Sequence, residues 1–181
     1  MKRITVLVIT LVMFARAHAT VLLPTDLADL ARDARTIARG RVVAVDAQVS
    51  DDRREIETVV TLEVDEYLKG PLGTTLQFRV PGGRVGRYRR IYVGAPEFSI
   101  DQSVIVFLAV SGPSFPYIVG LGQGVFRLTP SGDGSGWVVQ PPPLLPSPGM
   151  AIDVRRGDPR RVPMPLREFE ARVRALVKAR E

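Results

Sequence analysis

Carboxylates are the side chains of this chain that could most readily do chemistry. Between Glu55 and Leu68 four acidic residues fall on odd-numbered positions, which point to one face of a strand. They are Glu55, Glu57, Glu63 and Asp65. Two carboxyl groups about 5 to 10 Å apart can hydrolyse a glycosidic bond without histidine. Any solvent-facing strand shows the same alternation, and no aromatic cluster for a sugar lies nearby, so a carboxylate-based hydrolase is an alternative rather than the favoured function.

Histidine and cysteine offer no second route, because the chain has no cysteine and a single histidine, His18. His18 lies between Ala17 and Ala19, after a basic start and the apolar run from Ile4 to Phe14. This pattern predicts a secretory signal cleaved after Ala19, which discards His18 and makes Thr20 the new N-terminus. Zinc sites, Ser-His-Asp triads and thiol nucleophiles then lose their usual residues. We expect that the protein is not an enzyme and that it has no catalytic residue, no metal and no cofactor.

Cleavage also defines the expected compartment. The apolar run of eleven residues is only about half the length needed to cross a bilayer, so it is not a membrane anchor. The remaining chain has 181 minus 19, or 162, residues, which suits one domain. We expect an exported protein, in the periplasm or outside the cell, that no longer contacts a membrane. Its oligomeric state is left open.

The segment RVGRYRRIY is the most suggestive surface in the sequence. It combines arginine guanidinium groups, which can donate two parallel hydrogen bonds to an anion, with tyrosine rings that can stack on a partner. Proteins use this combination to bind polyanions. The residues are Arg84, Arg87, Tyr88, Arg89, Arg90 and Tyr92. An exported protein does not meet cellular nucleic acid, so the expected partner is another secreted or envelope protein, or an acidic envelope polymer. A solvated hairpin without a partner is the alternative.

The elements that must position these residues are mainly strands. Thr25 and Asp26 can cap a short helix, and the helical spacing of Leu166, Phe169, Val173, Leu176 and Val177 predicts a terminal helix over 164–181. Between them, alternating or apolar runs predict strands at Ile37 to Val49, Glu55 to Leu68, Leu76 to Val80, Val104 to Val110, Tyr117 to Val119, Val125 to Leu128 and Trp137 to Val139. Since VIVFLAV, Val104 to Val110, is apolar on both faces, we expect it at the centre, with the barrel interior on one side and a helix on the other.

Glycine-rich stretches interrupt these strands. PGGRVG and GLGQG resemble phosphate loops, but strand-like residues follow both where a phosphate loop needs a helix. We therefore predict ordinary turns with positive φ at their glycines. These are Gly82, Gly83, Gly120, Gly122 and Gly124.

The order of elements predicts a mainly β fold, an OB-like antiparallel barrel with one N-terminal and one C-terminal helix. A two-sheet sandwich is the alternative. The predicted organisation is a signal peptide at 1–19, a barrel domain with the N-terminal helix at 20–140, a proline- and arginine-rich connector at 141–163, and a C-terminal helix at 164–181 that packs on the barrel.

A family resemblance points to the same fold. The segment ADLARDARTIARGRVVAVDAQVS, followed by a strand that ends in YLKG, resembles the opening of netrin-like domains, the barrel of tissue inhibitors of metalloproteinases. It also resembles uncharacterised exported bacterial proteins with a GRV strand, KG and GG turns, a VFL strand and a GQG turn in that order. The similarity spans roughly Leu22 to Leu128 and implies an OB-type barrel.

The resemblance also bears on function. Those inhibitors chelate the catalytic zinc of the proteinase through an N-terminal cysteine, and this chain has no cysteine. We therefore expect an exported non-enzymatic binding module, with a proteinase-inhibitor-like module that uses its loops as the alternative within the resemblance.

Overall fold

The computed structural model describes residues 25–50, 55–71, 73–110, 115–134, 136–142 and 162–179. The predicted signal, its cleavage site at Ala17, Ala19 and Thr20, and most of the predicted connector lie outside the described residues. The described chain is mainly β, with one helix near its N-terminal end and one near its C-terminal end, as the sequence predicted. Neither of these helices combines the length and the apolar character needed to span a membrane.

The regular elements of the described chain are two α-helices, ten strands and one 3-10 turn. In order they are α1 (Leu27–Asp33), β1 (Thr36–Val49), β2 (Ile56–Lys69), β3 (Thr75–Pro81), β4 (Gly83–Val85), β5 (Tyr88–Arg90), β6 (Ser103–Ala109), β7 (Tyr117–Ile118), a 3-10 turn (Leu121–Gly124), β8 (Val125–Pro130), β9 (Trp137–Gln140), β10 (Met164–Pro165) and α2 (Leu166–Lys178).

The larger sheet has eight strands in the order β1-β2-β3-β7-β6-β8-β9-β10. Because β1 also pairs with β6, strands β1, β2, β3, β7 and β6 form a ring. All these pairings are antiparallel except that of β3 with β7, which joins Arg79 to Tyr117 in parallel. The expectation of a purely antiparallel set was wrong at this point. A ring with an odd number of strands cannot alternate direction at every step, so one parallel pair is unavoidable.

Strand β6 separates two apolar cores. Val104, Val106 and Leu108 face the inside of the ring, where Phe78 is also buried. Ile105 and Phe107 face the opposite way and join the cluster that contains both helices. These five central side chains of β6 are fully buried. The prediction of a central strand covered on both faces is confirmed.

The helices cover one side of the ring. Asp26 caps α1 by accepting a hydrogen bond from the backbone N–H of Asp29 at 2.7 Å, which satisfies a donor that the helix leaves open. At the other end of α1, the Lys69 ammonium donates to the carbonyl oxygen of Ala31 at 2.8 Å. Helix α2 packs through Phe169, whose ring centroid lies 4.8 Å from that of Phe126. These contacts bind both helices to strands of the sheet.

The glycines of the two predicted turns have different roles. Gly82, Gly83 and Gly120 have positive φ as predicted. For Gly122 and Gly124 that prediction was wrong, and Leu121 takes a positive φ of 55° instead. At Gly124 glycine is needed for space, since a Cβ there would lie 2.5 Å from the carbonyl oxygen of Val119.

Candidate functional site

Residues 83–93 form a hairpin with an extension, which we call the arginine arm. Strands β4 and β5 pair only with each other among the described residues, so the arm is a separate two-stranded sheet. Val85 pairs with Tyr88 around a two-residue turn. Gly86 has a φ of 58° in that turn, and a positive φ at the first central residue is what a type II′ hairpin turn requires. Local turn chemistry therefore produces the arm.

Polar contacts attach the base of the arm to the start of β2. The Glu55 carboxylate accepts hydrogen bonds from Arg90 Nε at 3.0 Å and Arg90 Nη2 at 2.8 Å, and another from the Tyr92 hydroxyl. The Thr58 hydroxyl donates to the carbonyl oxygen of Gly82 at 2.7 Å. The hydrogen bond with Glu55 is the largest cause that raises the pKa of Arg90 above its ordinary value, and the hydrogen bond with Tyr92 is the second largest. The arm is thus fixed at its base through charge-assisted hydrogen bonds.

The two faces of the arm differ. Residues directly opposite in an antiparallel pair share a face, so Arg84 and Arg89 point the same way. Arg90 and Tyr92 alternate with them and point to the body of the protein, where Glu55 lies. Ile91, one position beyond β5, is 70% exposed. Val93, in the turn that follows, is 71% exposed. We call the surface formed by Arg84, Arg89 and Ile91, with the neighbouring Val93, the outer stripe.

The cations away from the base have little to neutralise them. Arg84 Nε donates to the carbonyl oxygen of Gly86 at 3.2 Å, and Arg87 Nη2 donates to the Tyr88 hydroxyl at 2.8 Å. The guanidinium of Arg87 also lies 5.0 Å from the centroid of the Tyr88 ring. Arg89 lies 3.9 Å from a Glu97 carboxylate oxygen, at the limit of an ion pair between two well-exposed side chains. Within the described residues, Arg84 and Arg87 have no carboxylate partner.

The six side chains predicted as a binding patch therefore fall into two groups. Arg90 and Tyr92 hold the arm in place, whereas Arg84, Arg87, Tyr88 and Arg89 are available to a partner. The partner of Arg90, Glu55, precedes it by 35 positions, and the sequence pattern indicates Glu55 only as a candidate catalytic carboxylate. The alternation of the segment could have shown which arginines point inward, but not that Glu55 binds one of them.

Three of the four acidic residues that the sequence singled out for catalysis are engaged in ion pairs, Glu55 with Arg90 as described above. Glu57 lies 3.1 Å from Arg79, and Glu63 lies 2.6 Å from Arg41. The hydrogen bond that Arg41 donates to Glu63 raises the pKa of Arg41 above its ordinary value. Asp65 is exposed on the same strand. Three of these carboxylates are therefore already in contact with arginine, whereas a hydrolase needs two carboxyl groups that flank the glycosidic bond of a substrate.

A second polar cluster lies where α2 meets β1 and β2, and the sequence did not reveal it. Arg39 Nη1 lies 3.3 Å from Glu170 Oε1, and Arg39 Nη2 lies 3.2 Å from Glu66 Oε2. Arg174 pairs with both acidic residues. Burial, which outweighs the attraction of Arg39, raises the pKa of Glu170. Since two cations offset two anions, this cluster connects α2 to the sheet rather than offering a charge to a ligand.

No grouping of three or more His, Cys, Asp or Glu side chains suited to a metal ion occurs in the described part of the chain. Comparison of the whole chain with protein-family models, curated proteins and solved structures found no match. The arginine arm is the candidate site because its cations are exposed to solvent on a separate hairpin.

Proposed function

We propose that this protein is an exported, non-enzymatic binding module that holds an acidic partner through the arginine arm. The partner is another secreted or envelope protein, or an acidic envelope polymer, met in the periplasm or outside the cell. The scaffold is an OB-like, netrin-like barrel.

Two observations support the proposed scaffold. Five strands close into a ring, and an OB fold is a five-stranded, partly open barrel. The ring belongs to one continuous eight-stranded sheet, which favours a barrel over two sheets packed face to face. The sequence resemblance to netrin-like domains points the same way.

One observation supports the binding function above the others. The base of the arm is fixed by Glu55 and Thr58, while Arg84, Arg87 and Arg89 extend from it into solvent. A surface whose backbone is already ordered loses less conformational entropy when it binds than a flexible loop does. The three neighbouring guanidinium groups also attract an anionic partner from a distance.

The two alternatives have less support. A hydrolase would use the acidic residues near β2, three of which are already paired with arginine. A proteinase-inhibitor-like module would have to block its target with loops, because the chain has no cysteine to chelate zinc.

The test measures binding to heparin resin as a general polyanion. A triple variant, Arg84→Ser with Arg87→Ser and Arg89→Ser, should elute at clearly lower salt than wild type, because each lost anion contact lowers the salt dependence of binding by about one unit in the log-log slope. The matched control removes three exposed arginines elsewhere, in Arg35→Ser with Arg167→Ser and Arg172→Ser. Equal elution of both variants would mean that overall charge, not the arm, causes retention, and the proposed site would be wrong.

Export is tested separately. The N-terminal residue of material recovered outside the cytoplasm should be Thr20. Recovery of a chain that begins at Met1 would contradict the compartment and return His18 to the mature protein.

A further inference from the structure

The outer stripe of the arm carries apolar side chains as well as cations. Ile91, two positions after Arg89, is 70% exposed, and Val93, in the turn that follows, is 71% exposed. A sulfated or phosphorylated polymer would pair with the arginines but would leave these two β-branched side chains in water. Apolar surface is buried best against other apolar surface. The stripe therefore suits a partner that offers carboxylates and apolar side chains together.

The backbone of β5 has an open edge. In the described residues, its only strand neighbour is β4. A Cβ at Gly82 would lie 2.9 Å from the carbonyl oxygen of Arg90, so that carbonyl points toward the β4 side. Because the direction of backbone groups alternates along a strand, the N–H and C=O of Arg89 point toward the open edge. An added strand could hydrogen-bond to them.

The position of charge along the arm argues against insertion into a membrane. The hairpin tip consists of Gly86 and Arg87, and the exposed apolar residues Ile91 and Val93 lie beyond the other end of β5. A loop that inserts into lipid needs its apolar residues at the end that enters the bilayer. Here the cationic residues lie along the hairpin and at its tip, and the apolar residues lie near its base, which suits a partner lying alongside the arm.

We propose that β5 is a docking edge for an extended acidic segment of a partner protein, which adds to the arm as a third strand. Backbone hydrogen bonds to Arg89 provide the pairing, carboxylates on one face of the segment contact Arg84 and Arg89, and apolar side chains on that face cover Ile91 and Val93. The charge that repels a second copy of the arm attracts an acidic strand, so the arginines also select the partner. This inference rests on the proposed binding function of the arm.

The experiment uses the mature chain and a fluorescein-labelled octapeptide with glutamate at two and valine at the other two of its alternate positions and threonine between them, so that glutamate and valine lie on one face of the strand. Fluorescence anisotropy should report binding that weakens by about tenfold in Arg84→Ser with Arg89→Ser, and by a similar factor in Ile91→Ser with Val93→Ser, because both kinds of contact contribute. The control, Arg167→Ser with Val162→Ser, removes an exposed cation and an exposed apolar side chain outside the arm and should bind like wild type. The same peptide with alternate backbone amides N-methylated should bind poorly, and unmodified peptide should slow amide hydrogen exchange at Arg89.

The contrary outcomes are distinct. Equal affinity for the methylated and unmodified peptides would overturn strand addition, while an arm-dependent loss of heparin binding would leave the proposed function intact. Binding to phosphatidylglycerol vesicles in place of the peptide, lost in Ile91→Ser with Val93→Ser, would show a membrane site and overturn the inference. If the arm variants changed neither heparin nor peptide binding, both proposals would be wrong.

Discussion

Strand β6 and the arginine arm are both short β segments with apolar residues, but they meet solvent in opposite ways. Every side chain from Val104 to Leu108 is fully buried, whereas every residue from Gly86 to Val93 is exposed. Burial stabilises β6 through apolar contacts on both faces. The arm lacks such contacts along β5 and is held through polar bonds at its base. The contrast separates the part of the molecule that maintains the fold from the part that remains available for binding.

The largest expected effect lies in β6. Phe107→Ala should reduce the free energy of unfolding by about 3 to 5 kcal/mol, because Phe107 packs against Phe126 with ring centroids 5.5 Å apart and its removal leaves a cavity. Urea denaturation measures this loss. The matched change in the arm, Ile91→Ala, should leave the urea midpoint nearly unchanged. Similar losses in both variants would remove the distinction between the two regions.

An intermediate effect is expected at Glu170, where charge meets the core. The raised pKa of Glu170 means that the folded state binds a proton more readily than the unfolded state, so this contribution to stability is present in acid and is lost as the pH rises through the raised pKa. Glu170→Gln keeps the neutral form at every pH. The melting temperature of Glu170→Gln should therefore rise relative to that of wild type as the pH is raised from acid to neutral. Glu168→Gln, an exposed neighbour on the same helix, is the control. If the melting temperature of wild type instead rose relative to that of Glu170→Gln over this pH range, the attraction of Arg39 and Arg174 would outweigh the effect of burial on the pKa of Glu170.

The smallest effect on global stability is expected at the base of the arm. Glu55→Gln weakens an exposed ion pair, and such pairs add little to the free energy of unfolding, so the melting temperature should hardly change. Amide hydrogen exchange from Tyr88 to Arg90 should nevertheless become faster, because the arm loses its charged attachment. Glu97→Gln, which alters only the weak contact with Arg89, should leave this exchange unchanged. Unaltered exchange in Glu55→Gln would mean that other contacts fix the arm.

The sequence predicted those features that repeat along the chain. A continuous apolar run predicted β6 as a strand covered on both faces, and alternation predicted β2. The spacing of Leu166, Phe169 and Val173 predicted α2, and all three residues are buried. Burial repeats every two residues in a strand and about every 3.6 in a helix, so a single sequence carries this information.

Features that depend on distant partners could not be predicted. Nothing near Arg90 indicates that Glu55 will bind it, and nothing near Glu170 indicates that Arg39 will lie across from it. The parallel pairing of β3 with β7 results from closing the ring, which is a property of the whole sheet. The candidate site was therefore predicted as a segment, while its division into inward and outward residues required the structure.

The pairing of β1 with β6 also limits the order in which the chain can fold. Arg41 pairs with Ser103, which lies 103 minus 41, or 62, positions further along. A chain that emerges from its N-terminus onward exposes β1 and its apolar residues well before β6 arrives to cover them. Long-range pairing of this kind slows folding and prolongs the time in which unpaired strands can aggregate. Strand β6, which stabilises the folded protein, therefore becomes available only late in synthesis. A chaperone that acts on the newly made chain would be needed most before residue 109 has emerged.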